Sequence, residues 1–263
     1  MSGISKQQMD ECAKLTIAAE DAHQAMPQLI HTFPDLTFEE AYAIQDIRTK
    51  LRVEQGFNAI GYKMGLTSKA KQQMLGRTEP TYGRLFNYMP LDENEPLEFK
   101  NHIQPKVETE IAFVMKDSLR GQDIDIDTVL KATDYIVASL EIIDSRYIDF
   151  KFSSQDGIAD NISASRIKLG NKKISPYDTD LAELGIKINI NGTDIATGKG
   201  SAVLDHPANA VIMLVKMLHR EGKFLEAGQI VMTGAVTAAY KLSVGDNVTA
   251  TFDTLGKLTL AVV

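Results

Sequence analysis

The hydrophobic pattern of the chain changes period near Pro80. Upstream, apolar residues recur every three to four positions over 4–24 and 38–54, which is the period of an amphipathic helix. Downstream, short runs with β character are separated by turn residues. Because helix and strand periods segregate along the chain, the sequence predicts an α+β fold. We expect an N-terminal helical region over 1–79, with a lysine-containing strand and turn near its end, and a β-rich domain over 80–263.

Local signals locate the individual elements. Thr37, with Glu40 three residues later, forms a capping-box pair at the start of the second helix. Asn191-Gly192 follows an apolar run and is the strongest hairpin signal in the chain. Strands are predicted at 58–64, 106–116, 133–143, 186–190, 229–233, 247–252 and 257–263, and further helices at 68–75 and 207–221.

Composition and charge exclude several classes of protein. The 263 residues include 28 basic and 35 acidic side chains, and the net charge of -7 opposes binding to nucleic acid or to an anionic membrane surface. No apolar run reaches the roughly eighteen residues that a membrane helix needs, and the polar N-terminus lacks the layout of a signal peptide. The single cysteine, Cys12, excludes an intramolecular disulfide and a multi-cysteine metal site. We therefore expect a cytoplasmic protein.

Three glutamates stand inside otherwise apolar strand segments. A strand period of two places Glu108 and Glu110 on one face, about 7 Å apart. Glu141 ends the apolar run 135–140, where an ionised carboxylate needs a partner. Three carboxylates without a cysteine or histidine cluster favour Mg²⁺ or Mn²⁺ over Zn²⁺. The competing interpretation is that the Glu-x-Glu pair lies on the solvent face of an antiparallel strand.

Two further segments offer polar groups. Lys63 lies in an apolar strand that leads into a glycine turn at Gly65 and a helix start at Ser68, so the lysine and the turn could meet an anion. The alternative is a solvated lysine. The segment 160–163 offers amide and hydroxyl groups but by composition also fits an ordinary turn.

Together these segments resemble the hydratase/decarboxylase branch of the fumarylacetoacetate hydrolase superfamily. The similarity spans nearly the whole chain in register, because six separate pieces match in order. The pieces are Lys63-Met64-Gly65-Leu66-Thr67-Ser68, Pro105 to Ala112, Leu140 to Arg146, Ala159-Asp160-Asn161, Leu204-Asp205-His206-Pro207 and Met232-Thr233-Gly234.

The resemblance implies a fold and a metal site. Its fold would be a mixed β-sandwich or roll core with an N-terminal helical region, which makes 80–263 the catalytic domain. Its Mg²⁺ or Mn²⁺ would be bound by Glu108, Glu110 and Glu141, with Lys63 as a catalytic and substrate-binding residue.

Within the branch, two features favour the decarboxylases that act on 4-oxalocrotonate. The vinylpyruvate hydratases typically have Pro-Asp-Tyr/Phe-Gly, whose Asp is thought to help activate water, where this chain has Thr81 in Pro80-Thr81-Tyr82-Gly83. The decarboxylases lack that Asp. They also resemble this chain at Asp144-Ser145-Arg146-Tyr147 and Phe150-Lys151-Phe152.

The resemblance also implies the substrate and its contacts. The expected substrate is a small 2-oxo dicarboxylic acid, 2-oxohex-3-enedioate, in aromatic meta-cleavage catabolism. Family position suggests Ser163 and Thr233 as polar contacts and Leu75 as an apolar wall. Arg146 or Lys151 could hold the distal carboxylate, and the competing interpretation of both residues is a surface or interface ion pair. His206 precedes Pro207 at a helix start, so capping competes there with a role as a base.

Two other functions stay open from the sequence. One is a hydratase of 2-hydroxypenta-2,4-dienoate that uses the same metal and Lys63. The other is a non-catalytic partner subunit of a hydratase. The family further implies a homo-oligomer and a complex with vinylpyruvate hydratase.

Overall fold

Two capped helices open the chain. The computed structural model describes residues 3–68 and 79–263. Helix α1 spans Lys6–Asp21 and helix α2 spans Phe38–Glu54. The Thr37 side chain accepts from the amide of Glu40, and the Glu40 carboxylate accepts from the amide of Thr37, so the predicted capping box is confirmed. None of the helices within these two ranges is long and apolar enough to cross a membrane.

Within 3–68 and 79–263, the remaining elements form two sheets and three further α-helices. The helices are α3 Ile126–Ala132, α4 Ser154–Ala159 and α5 Pro207–Arg220. The strands are β1 Ala59–Gly65, β2 Thr81–Phe86, β3 Lys106–Met115, β4 Thr133–Ile143, β5 Ala164–Leu169, β6 Gly185–Ile190, β7 Thr193–Lys199, β8 Ile230–Met232, β9 Tyr240–Lys241, β10 Asn247–Phe252 and β11 Gly256–Ala261. The α+β prediction is therefore confirmed.

The larger sheet has seven strands in the order β2-β1-β8-β3-β4-β5, with β9 also paired to β3. Strands β1 and β8 run parallel, and the other neighbouring pairs are antiparallel. The smaller sheet has the order β11-β10-β6-β7. Asn191 and Gly192 connect β6 to β7 with φ values of 54° and 83°, which is the left-handed backbone that a tight hairpin turn requires.

The larger sheet separates two environments. Val107, Ile111 and Phe113 of β3 point into the main core, which also contains the inner face of α5 and the smaller sheet. The alternate positions of β3 face the other side, where Ala112 joins a second apolar cluster. Helices α1, α2 and α4 form a third cluster. The glutamates of β3 therefore lie on the face away from the main core.

Several elements have no clear signal in the sequence. The sequence does not predict strands β2, β5, β7 and β9 or helices α3 and α4. Polar residues interrupt the apolar pattern of most of these elements, and β9 has only two residues. The predicted helix at 68–75 lies almost wholly outside the described residues. The boundary between 79 and 80 stays a prediction, although β1, which precedes it, pairs within the same sheet as the later strands.

Candidate metal centre

Register brings the three glutamates together. Glu108 of β3 is directly opposite Glu141 of β4, and Glu110 lies two positions further along β3 on the same face. Each side chain offers a carboxylate oxygen, and these atoms lie within 4.8 Å of one another. Glu110 and Glu141 are fully buried and Glu108 is 8% exposed. The solvent-face interpretation of the Glu-x-Glu pair is therefore wrong.

Among the described residues, some of the buried carboxylate oxygens have no hydrogen-bond partner. The amide of Gly234 donates to Glu110 Oε2 at 2.8 Å. Within the described part of the chain, Glu110 Oε1 and Glu141 Oε2 accept no hydrogen bond. Leaving buried carboxylate oxygens unsatisfied is costly, so the arrangement fits a bound cation.

The charges of the cluster point to a divalent ion. Burial and the neighbouring carboxylates of Glu141 and Glu108 raise the pKa of Glu110 well above its usual value. Burial also raises the pKa of Glu141, although Lys63 opposes that shift. If all three carboxylates are ionised, one ammonium leaves two negative charges uncompensated. An all-oxygen donor set with that charge fits Mg²⁺ or Mn²⁺.

Lys63 reaches the cluster from β1. Its Nζ lies 3.0 Å from Glu141 Oε1 and donates to the carbonyl of Ile162 at 3.2 Å. The side chain is 3% exposed. Burial alone would lower the pKa of Lys63, but the carboxylates of Glu141, Glu108 and Glu110 together raise it. Lys63 therefore remains a cation at neutral pH.

The segment from Asp160 to Ser163 forms one wall of the site. Asn161, Ile162 and Ser163 have φ values of 54°, 52° and 57°, and three successive non-glycine residues in the left-handed region are strained. Asn161 holds the strained segment against β2, since its side chain accepts from the amide of Arg84 at 2.6 Å and donates to the Arg84 carbonyl at 2.9 Å.

Two glycines let this wall lie directly on the sheet. A Cβ atom at Gly83 would lie 2.6 Å from the carbonyl oxygen of Asn161, and one at Gly65 would lie 2.9 Å from the Ile162 side chain. Larger residues would therefore push the wall outward. The carbonyl of Ile162 would then move out of hydrogen-bond distance of Lys63 Nζ.

Ser163 and Thr233 differ in their availability to a ligand. Ser163 is 3% exposed, and its Oγ has no hydrogen-bond partner within residues 3–68 and 79–263. Thr233 is fully buried, and its Oγ1 donates to the carbonyl of Ile111 at 2.9 Å. Ser163 is thus the better placed of the two to donate to a ligand.

Arg146 makes contacts within the protein. It is 1% exposed, and its Nε forms an ion pair with Asp160. Its Nη1 donates to the carbonyls of Asp144 at 2.7 Å and Ala164 at 2.9 Å, and its Nη2 donates to the carbonyl of Asp160. This geometry favours a role in positioning the 160–163 wall over the substrate contact predicted from the sequence.

The other candidate residues lie apart from the cluster or outside the described residues. Lys151 is 75% exposed and pairs with Asp149. His206 caps α5, because its Nδ1 accepts from the amide of Ala208 at 3.1 Å. Leu75 lies outside the described residues.

Lys106 is a further candidate residue that is not among those predicted from the sequence. It precedes Glu108 by two positions on β3 and therefore shares the face of the carboxylates. Its Nζ lies 3.6 Å from the centroid of the Phe150 ring. The Lys-x-Glu-x-Glu spacing could have identified it, since all three residues alternate onto one side.

Proteins of known activity resemble this chain over most of its length. Residues 90–263 match the family model described as fumarylacetoacetate (FAA) hydrolase C-terminal. A 4-oxalocrotonate decarboxylase from Pseudomonas sp. (strain CF600) is 39% identical over 235 residues, covering 89% of each chain. A 2-keto-4-pentenoate hydratase from Paraburkholderia xenovorans (strain LB400) is 38% identical over 243 residues, covering 92% of this chain and 90% of the relative.

A solved structure shares the fold of the whole chain. The 4-oxalocrotonate decarboxylase from Pseudomonas putida G7, complexed with magnesium and adipate, superposes with a TM-score of 0.97 at 34% identity, covering 100% of both chains.

Proposed function

The chain belongs to the fumarylacetoacetate hydrolase family of enzymes, and we propose that it decarboxylates 2-oxohex-3-enedioate (4-oxalocrotonate) to 2-oxopent-4-enoate and CO₂. The observation that carries this proposal is the buried cluster of Glu108, Glu110 and Glu141 beside Lys63. The cluster is an oxygen-ligand site with a fixed positive charge next to it. A 2-oxo acid, whose carboxylate and keto oxygens are adjacent, is the kind of substrate that such a site can hold.

Glu108, Glu110 and Glu141 would hold Mg²⁺ or Mn²⁺. Magnesium is the ion in the related decarboxylase structure. When bound, a divalent cation would supply positive charge to the C1 carboxylate and the 2-oxo oxygen of the substrate.

Lys63 would stabilise the charge that develops during the reaction. The C5–C6 bond breaks, its electron pair forms the C4–C5 double bond, the C3–C4 pair moves to C2–C3, and the 2-oxo oxygen becomes negative. Lys63 stays protonated because the surrounding carboxylates raise its pKa. An interaction that strengthens as this charge develops lowers the barrier.

The wall from Asp160 to Ser163 would bind the rest of the substrate. Ser163 Oγ, buried without a partner within the described residues, is proposed to donate to the substrate. Thr233 and Leu75 are proposed as further contacts from family position. Arg146 is proposed to position Asp160 and therefore Ser163.

Release of CO₂ by the purified protein, with and without Mg²⁺, tests the proposal. We expect release that requires the metal and falls about 100-fold or more in Glu108→Gln. The exposed Glu98→Gln is the matched control and should retain full activity, since its side chain is 45% exposed. Absence of CO₂ release in the presence of Mg²⁺ would overturn the proposal.

Hydration of 2-hydroxypenta-2,4-dienoate is the second candidate, because a hydratase is nearly as similar as the decarboxylase. Thr81 favours decarboxylation, since the hydratases typically carry an aspartate at this position. Thr81 is 2% exposed and pairs with Gly65 of β1. We expect Thr81→Asp to raise hydration, measured as loss of the dienoate absorbance. Hydration by the unmodified protein at a rate exceeding CO₂ release would favour the hydratase instead.

We also propose a homo-oligomer that associates with a vinylpyruvate hydratase, whose substrate is the enol of the decarboxylation product. Large apolar side chains are exposed in the loop after β4, at Ile148 and Phe152, with 49% and 38% of their surfaces accessible. Such exposure supports an intermolecular contact. Light scattering of the protein alone and mixed with the hydratase measures both assemblies.

A further inference from the structure

Lys106 occupies the next position along the row of charged side chains that begins at the metal centre. Glu110, Glu108 and Lys106 alternate onto one face of β3, and successive members of such a row lie about 7 Å apart. The row thus consists of two carboxylates that can bind a metal, followed by the ammonium group of Lys106. Lys106 is opposite Ile143 on one side and Lys241 on the other.

The ammonium group of Lys106 rests on an aromatic ring. Its Nζ lies 3.6 Å from the centroid of Phe150, within the range of a cation–π contact. In the part of the chain that the structure describes, Lys106 forms no salt bridge. Its positive charge is therefore available to a ligand beside Glu108.

The spacing of the row matches the length of a six-carbon diacid. Five C–C bonds of about 1.5 Å span roughly 6 Å when extended, close to the strand repeat of about 7 Å. If one carboxylate end of the ligand lies at the Glu108, Glu110 and Glu141 cluster, the other end reaches the neighbourhood of Lys106. The other two candidates are less suitable, because Arg146 donates within the protein and Lys151 is exposed and paired.

We propose that Lys106, resting on Phe150, receives the distal carboxylate of the dicarboxylic acid and makes the enzyme select diacids over monoacids. This inference rests on the proposed function, since it names the residue that distinguishes the diacid substrate from the monoacid that a hydratase uses. Lys106 is a binding residue in this assignment. Strong ground-state stabilisation of the leaving carboxylate would oppose decarboxylation, and the Phe150 ring gives the ammonium an alternative partner as CO₂ departs.

Calorimetric binding of adipate and of hexanoate to the Mg²⁺-loaded protein tests the assignment without turnover. The two ligands have the same six-carbon chain and differ in one terminal carboxylate. We expect the unmodified protein to prefer adipate, and Lys106→Met to weaken adipate binding about fivefold while leaving hexanoate binding unchanged. Lys106→Arg should retain the preference. Lys131→Met is the control for lost charge, because Lys131 lies in α3, beside the opposite end of β4, and is 70% exposed.

The outcomes separate this assignment from the reaction itself. If Lys106→Met and Lys106→Gln both still bind adipate more tightly than hexanoate, as the unmodified protein does, the role of Lys106 is overturned. Equal weakening of adipate and hexanoate binding in the variants would overturn it too. Adipate preference that depends on Lys106, in a protein that releases no CO₂, would overturn the reaction and leave the diacid site standing. In kinetics, the substitution should raise KM for the diacid about fivefold with kcat within a factor of about two.

Discussion

Glu110 is the residue whose environment most restricts the chemistry of the site. Burial and two neighbouring carboxylates raise its pKa above the usual value of 4.5. The metal-free native state therefore binds a proton that the unfolded chain releases, and stability falls as pH rises from about the unfolded pKa through the native one. We expect the Tm of metal-free protein to fall as the pH rises above about 5, and to fall less in Glu110→Gln. An identical pH dependence in the two proteins, measured by calorimetry in EDTA, would contradict this expectation.

Lys63 has opposite expected effects on metal binding and on activity. Its ammonium lies 3.0 Å from Glu141 and repels a dication held by the same carboxylates. Lys63→Met should therefore preserve or tighten Mn²⁺ binding, measured by electron paramagnetic resonance, while lowering kcat about 100-fold. Loss of Mn²⁺ binding together with activity would instead indicate that Lys63 holds the carboxylates in place. The exposed Lys151→Met, 75% accessible, serves as the control.

Arg146 holds the wall from Asp160 to Ser163 in place. Removing Arg146 would leave the fully buried Asp160 carboxylate without its ion partner. We expect Arg146→Met to lower the free energy of unfolding by about 3–5 kcal/mol, the usual cost of a broken buried pair. Urea unfolding in EDTA measures this effect without substrate or metal. If Arg146→Met had unchanged stability but a raised KM, Arg146 would instead be a substrate contact.

Elements whose apolar residues follow an uninterrupted helix or strand pattern could be predicted from the sequence. Elements stabilised by polar contacts with distant residues could not. Strands β3 and β4 carry long apolar runs, so even their glutamates could be identified as a metal site. In β5, Arg166 and Lys168 interrupt the pattern, and Lys168 donates to the carbonyl of Glu95, 73 residues away. Likewise, no local signal indicates that Arg146 pairs with Asp160. The carboxylate triad was therefore predictable, but the partners that hold the wall were not.

The site lies beside a gap in the regular pairing of the larger sheet. Strand β8 pairs with β3 at Ala112–Val114, and β9 pairs with β3 at Lys106 and Val107. The chain between β8 and β9 departs from regular pairing opposite the glutamates, and there the amide of Gly234 turns to Glu110. Strand β1, parallel to β8, carries Lys63 to the same place. Residues from widely separated segments thus meet where β3 changes its partner from β8 to β9.

Metal and diacid should therefore stabilise the whole fold together. A ligand present at 100 times its Kd adds about 2.7 kcal/mol to the native state, and about 1 kcal/mol shifts the Tm of a chain of this size by roughly 2–4 °C. We expect Mg²⁺ alone to raise the Tm, adipate alone to have little effect, and the two together to exceed the sum of their separate shifts. Glu141→Gln should abolish the shift caused by Mg²⁺, because Glu141 joins the two strands of the cluster. If adipate alone stabilised the protein as much as adipate with Mg²⁺, the diacid would bind independently of the three glutamates, and the coupling between metal and substrate would be wrong.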